Sequence, residues 1–295
     1  MSTIPRPSQD TLRKAINNQV AIITGAARGI GFATASLLAQ NGARVVLVDL
    51  WEDDLKSACA TIGPPSTYQV CDVSDWHQQV ALFDRVSSTI GPIDLLVCNA
   101  AVNPEIALLQ TSNAATYDQM NSQVLHNYLA DERTLHGLQR PSTKLFDINV
   151  DSVVFGLKLG IHSMKSHGGG RIVVVGSAAS YVPVSSQPLY TATKHAVLGL
   201  VRSTAQIREV AQSGVSISWV APWLTLTSMV QGLEAASHPD TLKSSPEDVA
   251  WAIASAAVAE SGNGKGYWVQ GRTVSEVEEA YGRLAGELIL PENRF

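Results

Sequence analysis

Seven short runs rich in Val, Ile and Leu punctuate the chain, at residues 20–24, 44–49, 67–71, 93–98, 171–176, 215–220 and 266–270. Most are bounded by Gly, Pro or Asn. Such runs suit parallel strands buried on both sides. The segments between them, 31–41 and 75–90 among them, space their apolar residues for helices. Repeated strand–helix–strand units predict a single α/β domain. Its core is a doubly wound, Rossmann-type parallel sheet of about seven strands, with right-handed crossovers and helices on both faces.

Residues 1–17 read as a loose N-terminal arm, and 18–295 as the domain. One stretch breaks the rhythm. Residues 104–140 are far more than a strand-to-helix connection needs. Within them Tyr117, Met120, Val124 and Tyr128 recur at helical steps, which predicts an amphipathic helix. The insertion has three readings: a lid, an oligomer contact, or surface decoration. Its neighbours leave the strand ends, where Rossmann-type folds bind ligands, and this favours the lid.

Composition narrows the function classes. Hydrophobic residues make up 45% of the chain and charged ones 16%, which suits a large buried core and excludes disorder. The net charge of -5 argues against a nucleic-acid partner. No apolar run has the length of a membrane span, the first residues lack the apolar middle of a secretion signal, and the ENRF terminus carries no targeting peptide. Three cysteines without paired spacing read as free thiols of a reducing, cytoplasmic compartment. The seven histidines show no ligand spacing, so no metal is expected.

The first apolar run leads into Thr24-Gly25-Ala26-Ala27-Arg28-Gly29-Ile30-Gly31. Gly25 allows a tight turn, Gly29 a close approach of backbone to a pyrophosphate, and Gly31 close packing of the following helix on the sheet. The amides at that helix start face the anion. Gly25, Arg28, Gly29, Ile30 and Gly31 are therefore expected to line a dinucleotide. Asp49 ends the second run, 18 residues after Gly31. Its carboxylate can accept hydrogen bonds from ribose hydroxyls and repels a 2′-phosphate, and Leu50 and Trp51 bring no cation to offset that. NAD is the expected cofactor, although an Asp here can also cap a helix.

Downstream, Ser177 follows the fifth run, and Tyr190 and Lys194 stand four residues apart behind Pro188, which suits a first helical turn. A tyrosine of pKa ~10 needs a drop of roughly three units to act as a base near neutrality. An ammonium on the same helix face favours the phenolate, and Ser177 can stabilise charge on a substrate oxygen. The spacing alone is weak. Combined with the glycine loop and the acidic strand end it points to redox chemistry on an alcohol.

Together these motifs make residues 18–290 resemble the short-chain dehydrogenase/reductases. The resemblance extends to Asp72-Val73, the family's adenine contact, to Asn99-Ala100, its fourth-strand motif, and to Asn149 of its catalytic tetrad. It implies that Tyr190 is the general acid/base, and that Lys194 binds the nicotinamide ribose while lowering the tyrosine pKa. It further implies that Ser177 orients the substrate, that Asn149 holds a water in a proton relay, and that Pro222 and Thr227 contact the carboxamide end of the cofactor. Homodimers or homotetramers are common in the family, and the apolar face of 197–201 is compatible with one. Residues 182–190 and 194–197 are similar to the NAD-linked 15-hydroxyprostaglandin dehydrogenases, where a Gln in the place of Gln187 contacts the substrate hydroxyl. The expectation is NAD-dependent oxidation of a secondary alcohol on a rather apolar small molecule by hydride transfer to the nicotinamide. NADH-driven ketone reduction, a redox-neutral isomerisation and a non-catalytic dinucleotide-binding protein are the alternatives.

Two departures from the family pattern stand out. Ala101 replaces a Gly after Asn99-Ala100, and Trp223 follows Pro222 where the family has Gly. If that position requires a positive φ, Trp223 is strained; otherwise it adds an apolar wall beside the nicotinamide and the substrate.

Overall fold

The computed structural model describes residues 2–106, 133–134, 137–138, 140–231 and 237–288. The chain begins with β1 (Ser2–Thr3) and α1 (Gln9–Ile16), followed by β2 (Val20–Thr24), α2 (Gly29–Gln40), β3 (Arg44–Asp49), α3 (Glu52–Ile62), β4 (Thr67–Val70), α4 (Trp76–Thr89) and β5 (Ile93–Cys98). A small hairpin, β6 (Arg133–Thr134) and β7 (Gly137–Leu138), lies in the insertion. The second half runs through α5 (Ser152–Lys165), β8 (Gly170–Val175), α6 (Pro188–Ala205), α7 (Arg208–Gln212), β9 (Val215–Pro222), α8 (Pro246–Val258), β10 (Gly266–Gln270), β11 (Thr273–Glu276) and α9 (Glu278–Leu288).

Among the described residues the main sheet has the order β1-β11-β10-β9-β8-β5-β2-β3-β4. From β10 to β4 every pairing is parallel. The chain builds outward from β2 through β3 to β4, then crosses back to β5 and builds the other way. The carboxyl ends of β2 and β5 therefore flank the crevice where the winding reverses, the place at which such sheets bind ligands.

The unbroken apolar runs have a direct cause. Ala21 and Ile23 of β2, with Val45 and Leu47 of β3, pack against α1, α2, α3 and α8. Val20, Ile22, Val46 and Val48 face the other way, into the layer formed by α4, α5, α6 and α7. Both faces of β2 and β3 are dry, so no polar alternation survives in them.

All seven expected strands are present, with ends displaced by no more than two residues. Two further strands at one side of the sheet were not expected. β11 returns antiparallel to β10 through a tight turn in which Gly271 has φ 56°, and β1 pairs with β11. The 1–17 arm is accordingly not loose. Ser8 caps α1 by accepting from Thr11 N–H, Leu12 and Ile16 are buried one turn apart, and Arg6 pairs with Asp248 at the start of α8. The helix expected around Tyr117–Tyr128 lies outside the described residues.

Candidate active site

At the switch point the end of β2 is tied to the end of β5. The Thr24 hydroxyl donates to the Val97 carbonyl (3.3 Å) and accepts from the Asn99 and Ala100 amides at 3.0 and 3.1 Å. The Asn99 side-chain amide donates to the carbonyls of Thr24 (2.9 Å) and Gly25 (3.1 Å). Asn99, expected at the cofactor, thus holds the glycine loop itself. Gly25 has φ 65° and Gly29 φ 57°. Gly31 has ordinary φ, but a Cβ there would stand 2.1 Å from the Gly25 carbonyl oxygen, so the loop closes on the helix only over a hydrogen atom.

The start of α2 fits an anionic guest. Its first turn has no acidic residue, and Arg28, the exposed N-cap residue, makes no side-chain cap. The first amides of the helix are left for a ligand. Ile30 packs partly buried behind them. The Asp49 carboxylate is half-buried beside the loop and accepts from Ala27 N–H at 3.1 Å and Leu50 N–H at 2.8 Å. Asp72 accepts from the amide and hydroxyl of Ser74, and Val73 is buried next to it. Thr227 sits over Gly29, its Cγ2 3.5 Å from where a Cβ would be, and Pro222 ends β9.

The second cluster is carried by β8 and α6. Ser177 follows β8 in extended conformation and accepts from Ala179 N–H, and its hydroxyl lies beside the Tyr190 phenol. Burial pushes the Tyr190 pKa up to about 12, against the opposing hydrogen bond from Ser177. Lys194 is buried one turn further on, its Nζ 5.5 Å from the Tyr190 ring centre and donating to the Val175 carbonyl at 3.3 Å. Without a carboxylate partner, burial lowers its pKa to about 8. Asn149 lies in a π turn, Asp147–Asp151, a local widening frequent at functional sites. Its side chain pairs with both backbone groups of Val102 at 2.9 Å and donates to the Thr193 hydroxyl. Gln187 is the residue before α6 and accepts from the Asn103 side chain at 2.8 Å.

The lysine carries a stability consequence. Between pH 8 and 10 the unfolded chain holds a proton on residue 194 that the folded protein has shed. The contribution of Lys194 to the stability of the cofactor-free protein is therefore expected to rise with pH across that window, by at most about 3 kcal/mol, while the buried Cys71 and Cys98 thiols, held protonated in the folded state, oppose it. Above the window Tyr190 works in reverse, because the folded state keeps its phenol protonated to about 12. Urea denaturation of the wild type and of Lys194→Met at pH 8 and 10 reads it as a difference between the two, and equal pH dependence in both would refute its source.

Trp223 is not strained. The one described non-glycine residue with positive φ is Asn18. Trp223 donates its N–H to the Val269 carbonyl, extending the ladder between β9 and β10, and its ring stacks on Trp268 at 6.4 Å and 24°. Trp268 meets Tyr181 edge-on, and Tyr181 meets Trp219, so an aromatic row borders the Ser177 loop.

Two residues at the root of the insertion escape sequence reasoning. Glu105, buried, accepts from the amides of Leu189 (3.2 Å) and Tyr190 (2.9 Å), so it caps α6 from 84 and 85 residues away in sequence. Burial raises its pKa while those two amides oppose the shift. Asn103 is buried beside it. Cys59, Cys71 and Cys98 are free, and burial holds the last two thiols near a pKa of about 12, which suits core residues and not nucleophiles. Among the described residues no three His, Cys, Asp or Glu side chains gather as metal ligands. Nor is any described helix long and apolar enough to cross a membrane.

Comparison with known proteins agrees with this geometry. The model of the short chain dehydrogenase family matches residues 19–238. The 15-hydroxyprostaglandin dehydrogenase of Mus musculus, whose name specifies NAD(+), is 33% identical over 228 residues, covering 74% of this chain and 72% of its own. The cis-4-hydroxycyclohexanecarboxylate dehydrogenase of Sinomonas cyclohexanicum is 32% identical over 250 residues, covering 82% and 90%. The crystal structure of levodione reductase superposes with a TM-score of 0.68 over 87% of this chain and 97% of its own, at 24% identity, and shares the fold. The chain belongs to the short-chain dehydrogenase family, oxidoreductases that use a nicotinamide cofactor on CH–OH groups.

Proposed function

We propose that the chain oxidises a secondary alcohol on a rather apolar small molecule, with NAD as acceptor and Tyr190 as the base. The observation that carries this reading is the half-buried Tyr190, with Ser177 beside its phenol and the Lys194 amine below its ring, one strand from the switch point. When bound, the nicotinamide supplies the hydride acceptor. Ser177 holds the carbinol oxygen, and Tyr190 Oη takes its proton as charge develops there. Lys194 favours the phenolate and would hold the ribose of the cofactor. The side chain of Asn149 is committed to Val102 and Thr193, so its part is to fix the β5 end against α6. The aromatic row through Trp223 supplies an apolar wall, which suits an apolar substrate. The same groups run the reaction backwards, and the cofactor ratio sets the direction.

Preference for NAD rests on Asp49. Its carboxylate lies beside the loop, followed by Leu50 and Trp51, both exposed and uncharged. A hydrogen bond to a charged group contributes about 1.5–3 kcal/mol. Replacing Asp49 by Ala is therefore expected to lower kcat/KM for NAD about tenfold to a hundredfold while NADP use holds or improves. Steady-state kinetics with both cofactors and a panel of apolar secondary alcohols tests this. A wild-type preference for NADP would overturn the role of Asp49, and absence of turnover with every alcohol and ketone would overturn the dehydrogenase reading. A homodimer or homotetramer in the cytoplasm completes the proposal, with the exposed Val154 of α5 available to an interface.

A further inference from the structure

A side-chain amide has a donor end and an acceptor end that look alike in shape, and only its partners tell which is which. Around Gln187 the partners settle it. The backbone N–H of Ile106 can only donate, and it points at Asn103 Oδ1 (3.4 Å). Asn103 therefore turns its Nδ2 to Gln187, and Gln187 must answer with Oε1 (2.8 Å). The free end of Gln187 is then Nε2, which has no acceptor among the described residues. The polarity of Gln187 is thus dictated by a backbone amide two side chains away.

The segment that imposes this is firmly placed. Asn103 and Glu105 are both buried, and Glu105 grips the amides of Leu189 and Tyr190. Gln187 occupies the N-cap position of α6 but makes no cap of its own. Glu105 does that work, which leaves the Gln187 amide for another purpose. It immediately precedes the helical turn that presents Tyr190.

We propose that Asn103 is a positioning residue that holds Gln187 as a hydrogen-bond donor toward the substrate, so that the oxygen bound beside Tyr190 is recognised as an acceptor. This rests on the alcohol-dehydrogenase reading. A ketone oxygen, which only accepts, is served in full by Gln187 Nε2. A carbinol gives its hydrogen to Tyr190 and offers its lone pairs to Ser177 and Gln187.

The test reverses the polarity. Asn103→Asp can still accept from Ile106 N–H, but it has no hydrogen for Gln187, which must flip to donate to it and show Oε1 to the site. The ketone then faces a lone pair, whereas the alcohol can turn its hydroxyl hydrogen to Gln187 Oε1, which keeps its binding but takes that hydrogen from Tyr190 and lowers its kcat. In Asn103→Asp the ketone KM is expected to rise about tenfold against a change within about twofold for the alcohol. Asn103→Ala, which merely frees the Gln187 amide, is expected to shift both KM values together. An unchanged ketone-to-alcohol KM ratio in Asn103→Asp, or an equal shift of that ratio in Asn103→Ala, would overturn the proposal. A second measurement needs no turnover. The Gln187 side-chain amide resonances, assigned by their loss in Gln187→Leu, should move downfield in Asn103→Asp as the amide gains an acceptor. A wild-type Gln187 amide already at the bonded position refutes the assigned polarity even in an active enzyme. The reverse result, a shift in Asn103→Asp without wild-type turnover, keeps the polarity and removes the substrate reading.

Discussion

Replacing Tyr190 with Phe is expected to lower alcohol oxidation by about a hundredfold to ten-thousandfold, the range of a lost general acid–base group, while leaving cofactor affinity close to wild type. The substitution removes one oxygen. The ring remains packed over Lys194 and the backbone amide remains bonded to Glu105, so the local structure has no reason to change. The pH dependence should disappear with the oxygen. Burial holds the wild-type phenol high, so oxidation, which needs the phenolate, is expected to climb with pH. Reduction needs the phenol, which stays protonated throughout, and is expected to stay level over the same range. The phenylalanine ring of the variant has nothing to titrate, and the residual rate should be flat. Cofactor binding followed by fluorescence, with turnover from pH 6 to 10, separates the two effects. Undiminished turnover in the variant would remove Tyr190 from the chemistry.

The second large effect is expected at Gly31. An alanine methyl there would come 2.1 Å from the Gly25 carbonyl oxygen and 2.7 Å from the Asn99 side-chain nitrogen. Neither neighbour can yield cheaply. Gly25 sits in a turn that needs its positive φ, and the Asn99 amide is the tie that closes the loop. Gly31→Ala should therefore open the junction of β2 and α2. Overpacking at such a site costs about 1–3 kcal/mol, and the displaced amides at the start of α2 should weaken dinucleotide binding by more than about a hundredfold. Gly282→Ala is the control, because it lies within α9 and a Cβ there meets nothing within 4 Å. It should raise stability by about 0.5–1 kcal/mol. Urea denaturation and cofactor titration of both variants check the pair, and a Gly31→Ala protein that binds the cofactor normally would show that the loop tolerates the methyl.

How far the molecule was legible in its sequence follows from the range of each interaction. Strands β2, β3 and β5 could be read because two dry faces write an apolar run into each. The glycine loop and Asp49 could be read because their contacts are local to one strand–helix–strand unit. The arm was harder, since α1 has only Leu12 and Ile16 to bury and a single short cap. Trp223 could be flagged as unusual, but its backbone is set by Val269 on a strand that comes much later in the chain. Glu105 left no signal. A carboxylate that caps a helix from across the fold has the same local sequence as one lying in solvent.

Trp219 imposes a different constraint. A Cβ on Gly176 would stand 2.2 Å from its ring and one on Gly266 2.8 Å from its indole nitrogen, while that nitrogen donates to Tyr181. Tyr181 in turn bonds Glu278, which is paired to Arg202 on α6. Three strands and two helices are thus keyed to one indole. An engineer who wishes to recast the floor beneath Ser177 cannot change these positions one at a time, because any single step lands on a clash or an orphaned polar group. Gly176, Trp219 and Gly266 form one inherited unit of design, to be exchanged together or left alone.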